Sequence, residues 1–129
     1  MAKNITLEML LAKKMQSEDD KLKIAYFNSD VLGGTIEVRK LKARDVLKIM
    51  DSAEDKSADG AYRANCKLIY KHCPILQEKE LQEAYEVAEP YDIVTPVFDE
   101  NLGEINKLAT FILGLYGLAD NEEIEELKN

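Results

Sequence analysis

Residues 102–118 of the chain, LGEINKLATFILGLYGL, give the strongest indication of its architecture. Their apolar spacing predicts a long helix over about 102–116. At 100° per residue the apolar side chains cover an arc of about 220°, whereas a surface helix typically shows a stripe of about 100° or somewhat more. Such a helix cannot lie half in water. Either neighbouring helices of the same chain cover it, which is the favoured interpretation, or another protein does.

The same stretch argues against a membrane-spanning segment. The nearly uncharged part, Leu108 to Ala119, has twelve residues, and about 20 are needed to cross a bilayer. The N-terminus has no long apolar run typical of a signal peptide. Cys66 and Cys73 would lie about 10 Å apart on one helix, beyond disulfide reach, which fits a reducing compartment. We therefore expect a cytoplasmic protein.

Three further helical segments are predicted between residue 62 and residue 98. Tyr62, Cys66, Ile69 and Cys73 recur at spacings of 4, 3 and 4, which predicts a helix that ends at Pro74. Residues 81–88 predict a short acidic helix. Pro90 can open the next helix, but a proline at position 96 removes a hydrogen bond inside that helix, so the sequence predicts a short or kinked element there.

The N-terminal part of the chain shows a different period. Leu22, Ile24 and Tyr26 alternate with Lys23, Ala25 and Phe27, and over residues 35–39 Ile36 and Val38 alternate with polar side chains. A turn containing Gly33 separates the two stretches, which predicts a β-hairpin. Residues 5–16 predict a first helix, and residues 46–50 another. We therefore expect an α+β fold, a predominantly helical single domain over 1–118 with a small N-terminal β-hairpin, followed by an acidic tail over 119–129.

Charge is distributed unevenly along the chain of 129 residues, whose 17 basic and 25 acidic side chains give a net charge of −8. Residues 1–73 carry 14 basic and 11 acidic side chains, whereas residues 74–129 carry 3 and 14. Nucleic acids and anionic membranes are polyanions, so neither is expected as the main partner. The tail carries five acids, Asp120, Glu122, Glu123, Glu125 and Glu126. It is either a solvated terminus or an arm that engages a basic partner.

Residues that could support catalysis are few. His72 is the only histidine, and we interpret it as a solvated side chain at a helix end rather than a general base. Cys66, His72 and Cys73 have no second pair of ligands to complete a zinc site. Residues 99–110 depart from the spacing of a calcium loop. We therefore expect no catalytic residue, no metal and no cofactor, and hence no enzyme.

The order of elements resembles the tail assembly chaperones of long-tailed phages and of phage-like elements in Gram-positive bacteria. The resemblance spans roughly residues 22–118. It is carried by the hairpin, by a helix that stops at Cys73-Pro74, and by the segments Leu81-Gln82-Glu83-Ala84-Tyr85, Glu89-Pro90 and Gly103-Glu104-Ile105. The resemblance implies a non-enzymatic protein of the host bacterial cytoplasm that covers the tape measure protein until the tail tube polymerises. Contact with the major tail tube protein is a further implication.

An apolar groove would suit an amphipathic client helix. We expect this groove to be formed by the last two predicted elements, the helical segment that Pro90 opens and the long helix that follows residue 102. The predicted contact residues are Ile93, Val94, Val97, Phe98, Phe111, Leu115 and Leu118. Two other functions stay open, a structural tail completion or connector protein of the virion, and an acidic regulator of a basic DNA-binding protein. The sequence leaves the oligomeric state open.

Overall fold

A computed structural model describes residues 4–19, 23–52 and 57–118, with side chains described for residues 4–15 of the first range. The predicted acidic tail lies outside the described residues. Six α-helices are described: α1 (Leu7–Asp19), α2 (Ala43–Asp51), α3 (Ala58–His72), α4 (Lys79–Tyr85), α5 (Val94–Val97) and α6 (Leu102–Gly114). Two strands, β1 (Ile24–Ser29) and β2 (Gly34–Arg39), and two 3₁₀ helices, Pro74–Gln77 and Pro90–Ile93, complete these elements. The prediction of a mainly helical α+β fold with an N-terminal hairpin is confirmed.

The two strands form an antiparallel hairpin with one face towards the core. Phe27 pairs with Ile36, and Ser29 with Gly34. Gly33 closes the turn with a φ of +71°, a backbone conformation that residues other than glycine rarely adopt. Since side chains alternate between the two faces of a strand, Phe27 and Ile36 are buried while Tyr26 is exposed.

The helices α3 and α6 pack against each other at the centre of the molecule. Most of the apolar arc of α6 is covered by the chain itself, because Ile105, Leu108, Ala109 and Ile112 are all at most 2% exposed. The favoured interpretation of this helix, cover from within the chain, is therefore correct for these positions. The remaining core side chains come from the hairpin, α2, α3 and the segment 73–98.

The helical conformation is interrupted around Pro96, as the sequence predicts. The 3₁₀ helix Pro90–Ile93 leads into α5, which has only four residues. Asp99 and Glu100 then adopt left-handed backbone conformations, with φ values of +55° and +57°, and turn the chain into α6. The side chain of Asn101 caps α6 by accepting a hydrogen bond of 3.0 Å from the backbone N–H of Glu104.

The first helix, α1, differs from the other long helices because none of its described side chains is buried. Five of them are large and apolar, and their exposed fractions lie between 47% and 73%. Thr6 directly precedes the helix, and its hydroxyl accepts a hydrogen bond of 3.3 Å from the backbone N–H of Met9. Among the described helices, none has both the length and the apolar character that crossing a membrane requires.

Candidate binding cleft

The predicted contact surface lies partly in the core. Ile93, Val94 and Phe98 are all 0% exposed, so a partner could touch them only if the core opened. The prediction that these three residues form a contact surface is therefore wrong for the folded molecule. The physical reason is the break at Pro96, which lets the short helix α5 turn its apolar side inwards against α3 and α6.

The other four predicted contact residues retain some exposure. Phe111 and Leu115 are half-buried against the core, and the Phe111 ring meets the Phe27 ring edge to face, with 5.5 Å between the centroids. Leu118 is 51% exposed at the end of the described chain. Val97 is half-buried and lines a cleft that the other three residues do not line. The structure therefore does not bring the seven residues together as one surface.

An open depression lies between the hairpin and the segment that follows α3. It has a volume of about 600 Å³. We call it the hairpin cleft, and its apolar lining consists of Tyr26, Leu32, Ile36, Pro74, Ile75, Leu76, Leu81 and Val97. Three of these side chains are substantially exposed, with Tyr26 at 61%, Ile75 at 55% and Leu32 at 41%. The cleft thus presents apolar surface that the described chain leaves open to solvent.

Charged side chains surround the apolar lining of the hairpin cleft. Glu37, Arg39 and Glu78 line it, and Arg39 donates a hydrogen bond of 3.0 Å to the carboxylate of Glu37. Beyond Ile75 the cleft continues into a shallower depression of about 430 Å³, which Glu78 and Glu80 also line. Three glutamates and one arginine leave this rim net acidic. An apolar floor with an acidic rim suits a helix that carries apolar side chains on one face and basic side chains beside them.

The hairpin wall of the cleft is held in place by Glu104, near the N-terminus of α6. Its carboxylate is 6% exposed and accepts hydrogen bonds from the Ser29 hydroxyl at 3.0 Å and from the Val31 backbone N–H at 3.1 Å. The hydrogen bond from Val31 is the main reason why the pKa of Glu104 lies below its usual value, since burial alone would raise it. The hairpin turn is therefore fixed to the last helix.

A second polar contact holds the end of β2 near α6. His72 is 0% exposed, so the interpretation of a solvated histidine at a helix end is wrong. Its Nδ1 lies 2.7 Å from the Leu68 carbonyl oxygen and its Nε2 lies 2.7 Å from the Tyr116 hydroxyl. The carbonyl can only accept, so Nδ1 carries a proton, and in the neutral ring the Tyr116 hydroxyl donates to Nε2.

The Tyr116 oxygen in turn accepts a hydrogen bond of 2.6 Å from the backbone N–H of Leu41. When His72 is neutral, the Tyr116 hydroxyl donates to Nε2 while its oxygen accepts from Leu41, so the three groups satisfy one another. Burial lowers the pKa of His72 below 6.5 and so favours this neutral form. The arrangement serves packing, because both imidazole nitrogens are already occupied and neither is open to a substrate.

The two cysteines lack the environment of a nucleophile. Burial raises the pKa of the Cys73 thiol to about 12 and also raises that of the Cys66 thiol. Reactive cysteines have lowered pKa values and lie in electropositive, partly exposed surroundings. Tyr62, one turn before Cys66, hydrogen-bonds to the Thr95 hydroxyl, and burial raises its pKa to about 12. Among residues 4–19, 23–52 and 57–118, no three His, Cys, Asp or Glu side chains are grouped as metal ligands.

Sequence reasoning missed the hairpin cleft. One signal was present, because Ile75 directly follows the helix-ending Pro74 and is an apolar residue outside any helical stripe. Tyr26 also lies in a strand whose alternation places its side chain on the face opposite to Phe27. The sequence does not reveal that the 3₁₀ helix Pro74–Gln77 packs beside β2, and it is this long-range contact that forms the cleft.

Comparison of the chain with protein-family models, with curated proteins and with solved structures finds no match.

Proposed function

We propose that this chain is a non-enzymatic tail assembly chaperone that binds apolar helical segments of a phage tape measure protein in the bacterial cytoplasm. The observation that carries the proposal is the hairpin cleft, an open depression with an apolar floor and an acidic rim. The resemblance of residues 22–118 to that family of chaperones supplies the identity of the client. The client site is thereby assigned to the cleft instead of the last two elements.

The size and lining of the cleft fit one face of a helix. A helix seated in a groove is held by apolar anchors at spacings of three and four residues. Ile75 and Leu81 lie on successive elements along the cleft, with Tyr26 on the opposite hairpin wall. The acidic rim would pair with lysines or arginines that flank the apolar stripe of the client, which favours orientation and the rate of encounter more than affinity.

Co-expression with a tagged fragment of the tape measure protein from the same phage or prophage tests the proposal. We expect the chain to co-purify with at least one apolar helical fragment. Ile75→Glu should abolish this, because it places a charge on the floor of the cleft. Leu102→Glu is the matched control, since Leu102 is 61% exposed and lies outside the residues that line the cleft. Failure of every fragment to co-purify would refute the proposal.

Purified tails distinguish a chaperone from a structural component of the virion. A chaperone is released when the tube has formed, so mass spectrometry of mature tails should not detect the chain. Its presence in a fixed ratio to tube subunits would favour the completion or connector function. An acidic regulator of a DNA-binding protein should instead bind its partner with a steep dependence on salt, because the contact would be mainly between exposed charges.

A further inference from the structure

An exposed basic surface lies where the hairpin leads into α2. Residues 40–51 carry four basic and two acidic side chains. The four bases, Lys40, Lys42, Arg44 and Lys48, are all exposed, and we call them the basic cluster. None of the carboxylates that the structure describes forms an ion pair with Lys42, Arg44 or Lys48. The described part of the chain therefore leaves these three positive charges without a counter-charge in contact.

The end of α6 is fixed beside the basic cluster. The Tyr116 hydroxyl accepts the hydrogen bond of 2.6 Å from the backbone N–H of Leu41, which stands between two members of the cluster. The ammonium group of Lys40 lies 5.3 Å from the centroid of the Tyr116 ring. The acidic tail, residues 119–129, follows three residues after Tyr116. It therefore starts no more than about 11 Å from that residue.

We propose that the acidic tail docks on the basic cluster of its own chain and covers the exposed side of α2. The tail carries five acidic side chains and one basic side chain. The segment 40–51 keeps a net positive charge although Asp45 and Asp51 belong to it. A docked tail shields this surface from polyanions such as nucleic acids. The contact uses none of the residues that line the hairpin cleft, so it is independent of the proposed function.

The apolar residues of the two surfaces also match. Leu47 and Met50 of α2 are 54% and 42% exposed and stand three residues apart. Leu47 lies about 60° from Arg44 around the helix axis, so the apolar and basic side chains share one side of α2. In the tail, Ile124 and Leu127 are also three residues apart and stand among the acids. A tail that pairs its acids with the cluster can therefore also cover the exposed apolar side chains of α2.

The short connection to α6 favours the tail of the same chain over an acidic partner from outside. Single exposed ion pairs contribute little, so they would hold a separate acidic peptide only weakly. A segment on a short linker, in contrast, meets its site at an effective concentration on the order of millimolar. The eight residues from Tyr116 to Ile124 span up to about 28 Å, whereas Arg44 follows Leu41 by only three residues. The acids of the tail therefore reach the cluster without any change in the fold.

Fluorescence quenching of a single tryptophan tests the contact. The chain contains no tryptophan, so Leu47→Trp places one beside the basic cluster. We expect the tail to be docked at least half of the time, so acrylamide should quench this tryptophan about twofold less strongly than in a protein with a neutral tail. The neutral tail carries Asp120→Asn, Glu122→Gln, Glu123→Gln, Glu125→Gln and Glu126→Gln. Equal quenching of the two proteins would overturn the inference.

Reversal of charge identifies the surface on which the tail docks. Lys42→Glu/Arg44→Glu should remove the protection of the tryptophan, because it turns attraction of the tail into repulsion. Addition of Glu122→Lys/Glu123→Lys to the same protein should restore the protection. Both positions in the cluster are exposed, so the variants should keep the helical circular dichroism of the parent. Failure of the exchanged charges to restore the protection would contradict docking on the cluster.

A matched control and a dilution series complete the test. Arg63→Glu/Lys79→Glu reverses the same two residue types at side chains that are 73% and 89% exposed and lie outside the cluster. It should leave the quenching as in the parent, and the inference fails if it acts as strongly as the reversal in the cluster. Dilution from about 100 μM to about 1 μM should also change nothing, because the effective concentration of a tethered segment does not depend on the protein concentration. Protection that disappears on dilution would assign the tail to a second copy and overturn docking within the chain.

Discussion

Replacement of Glu104 by glutamine should destabilise the fold much more than an ordinary surface substitution. The amide keeps the shape of the side chain and one acceptor oxygen, but it loses the charge that strengthens the hydrogen bonds from Ser29 and Val31. Hydrogen bonds to a charged group contribute about 1.5–3 kcal/mol each, and neutral ones about 0.5–1.5 kcal/mol. Loss of the charge near the N-terminus of α6 adds about 0.3–1 kcal/mol. We expect a decrease of about 2 kcal/mol in the free energy of unfolding.

Urea denaturation at pH 7.5, followed by circular dichroism, measures this decrease. Glu83→Gln is the matched control, because Glu83 is 69% exposed and pairs with Lys79 at 4.0 Å on the surface of α4, so its loss should cost less than about 0.5 kcal/mol. The pKa of Glu104 is lowered by folding, so its contribution is present above the unfolded value of 4.5 and is lost as the pH falls through the folded pKa. If Glu104→Gln costs no more than Glu83→Gln, or leaves the acid limb below pH 4.5 unchanged, the reasoning about Glu104 is refuted.

Four further predictions concern the core. Phe98→Ala should lower the free energy of unfolding, measured by urea denaturation, by about 3–5 kcal/mol, because the ring is fully buried. A decrease of less than about 1 kcal/mol would contradict the burial of Phe98. Tyr116→Phe should lower the free energy of unfolding by about 1–3 kcal/mol at pH 7.5, because it removes the hydroxyl that hydrogen-bonds to His72. The control Tyr85→Phe, at an exposed site, should leave the free energy of unfolding almost unchanged. Folding lowers the pKa of His72, so its contribution to the free energy of unfolding is complete above pH 6.5 and declines as the pH falls below that value. The melting temperature, measured by calorimetry, should therefore fall between pH 6.5 and pH 5. A melting temperature that does not fall over this range would contradict the burial of His72 as a neutral group. Since burial raises the pKa of Cys73 to about 12, its alkylation at pH 8 should proceed only as fast as the protein opens, and labelling at the rate of a free thiol would contradict this.

The arrangement of helices and strands could be predicted from the sequence because each depends on local periodicity. The stripe that ends at Cys73 appears as α3, which runs to His72. The break at Pro96 follows from the chemistry of proline alone. The predicted first helix ends three residues later than expected, at Asp19, which is the usual uncertainty at a helix end.

The candidate site could not be predicted, because periodicity does not tell which neighbour covers an apolar face. Phe98 and Phe111 belong to equally apolar segments, yet Phe98 is completely buried and Phe111 only partly. The difference arises from contacts between segments that are distant in the sequence, because α5 packs against α3 and α6. The burial of His72 could not be predicted for the same reason. Its burial depends on Tyr116, which is 44 residues away in the sequence.

The most direct test of the proposed client site is a binding titration between this chain and a fluorescent peptide from an apolar helix of the tape measure protein. We expect binding by the parent protein and by Leu102→Glu, a loss of at least about tenfold in affinity for Ile75→Glu, and similar affinity at 0.15 M and 0.5 M salt because the contact is mainly apolar. Equal affinity of the parent and Ile75→Glu proteins, or binding that disappears at 0.5 M salt, would contradict an apolar cleft as the client site.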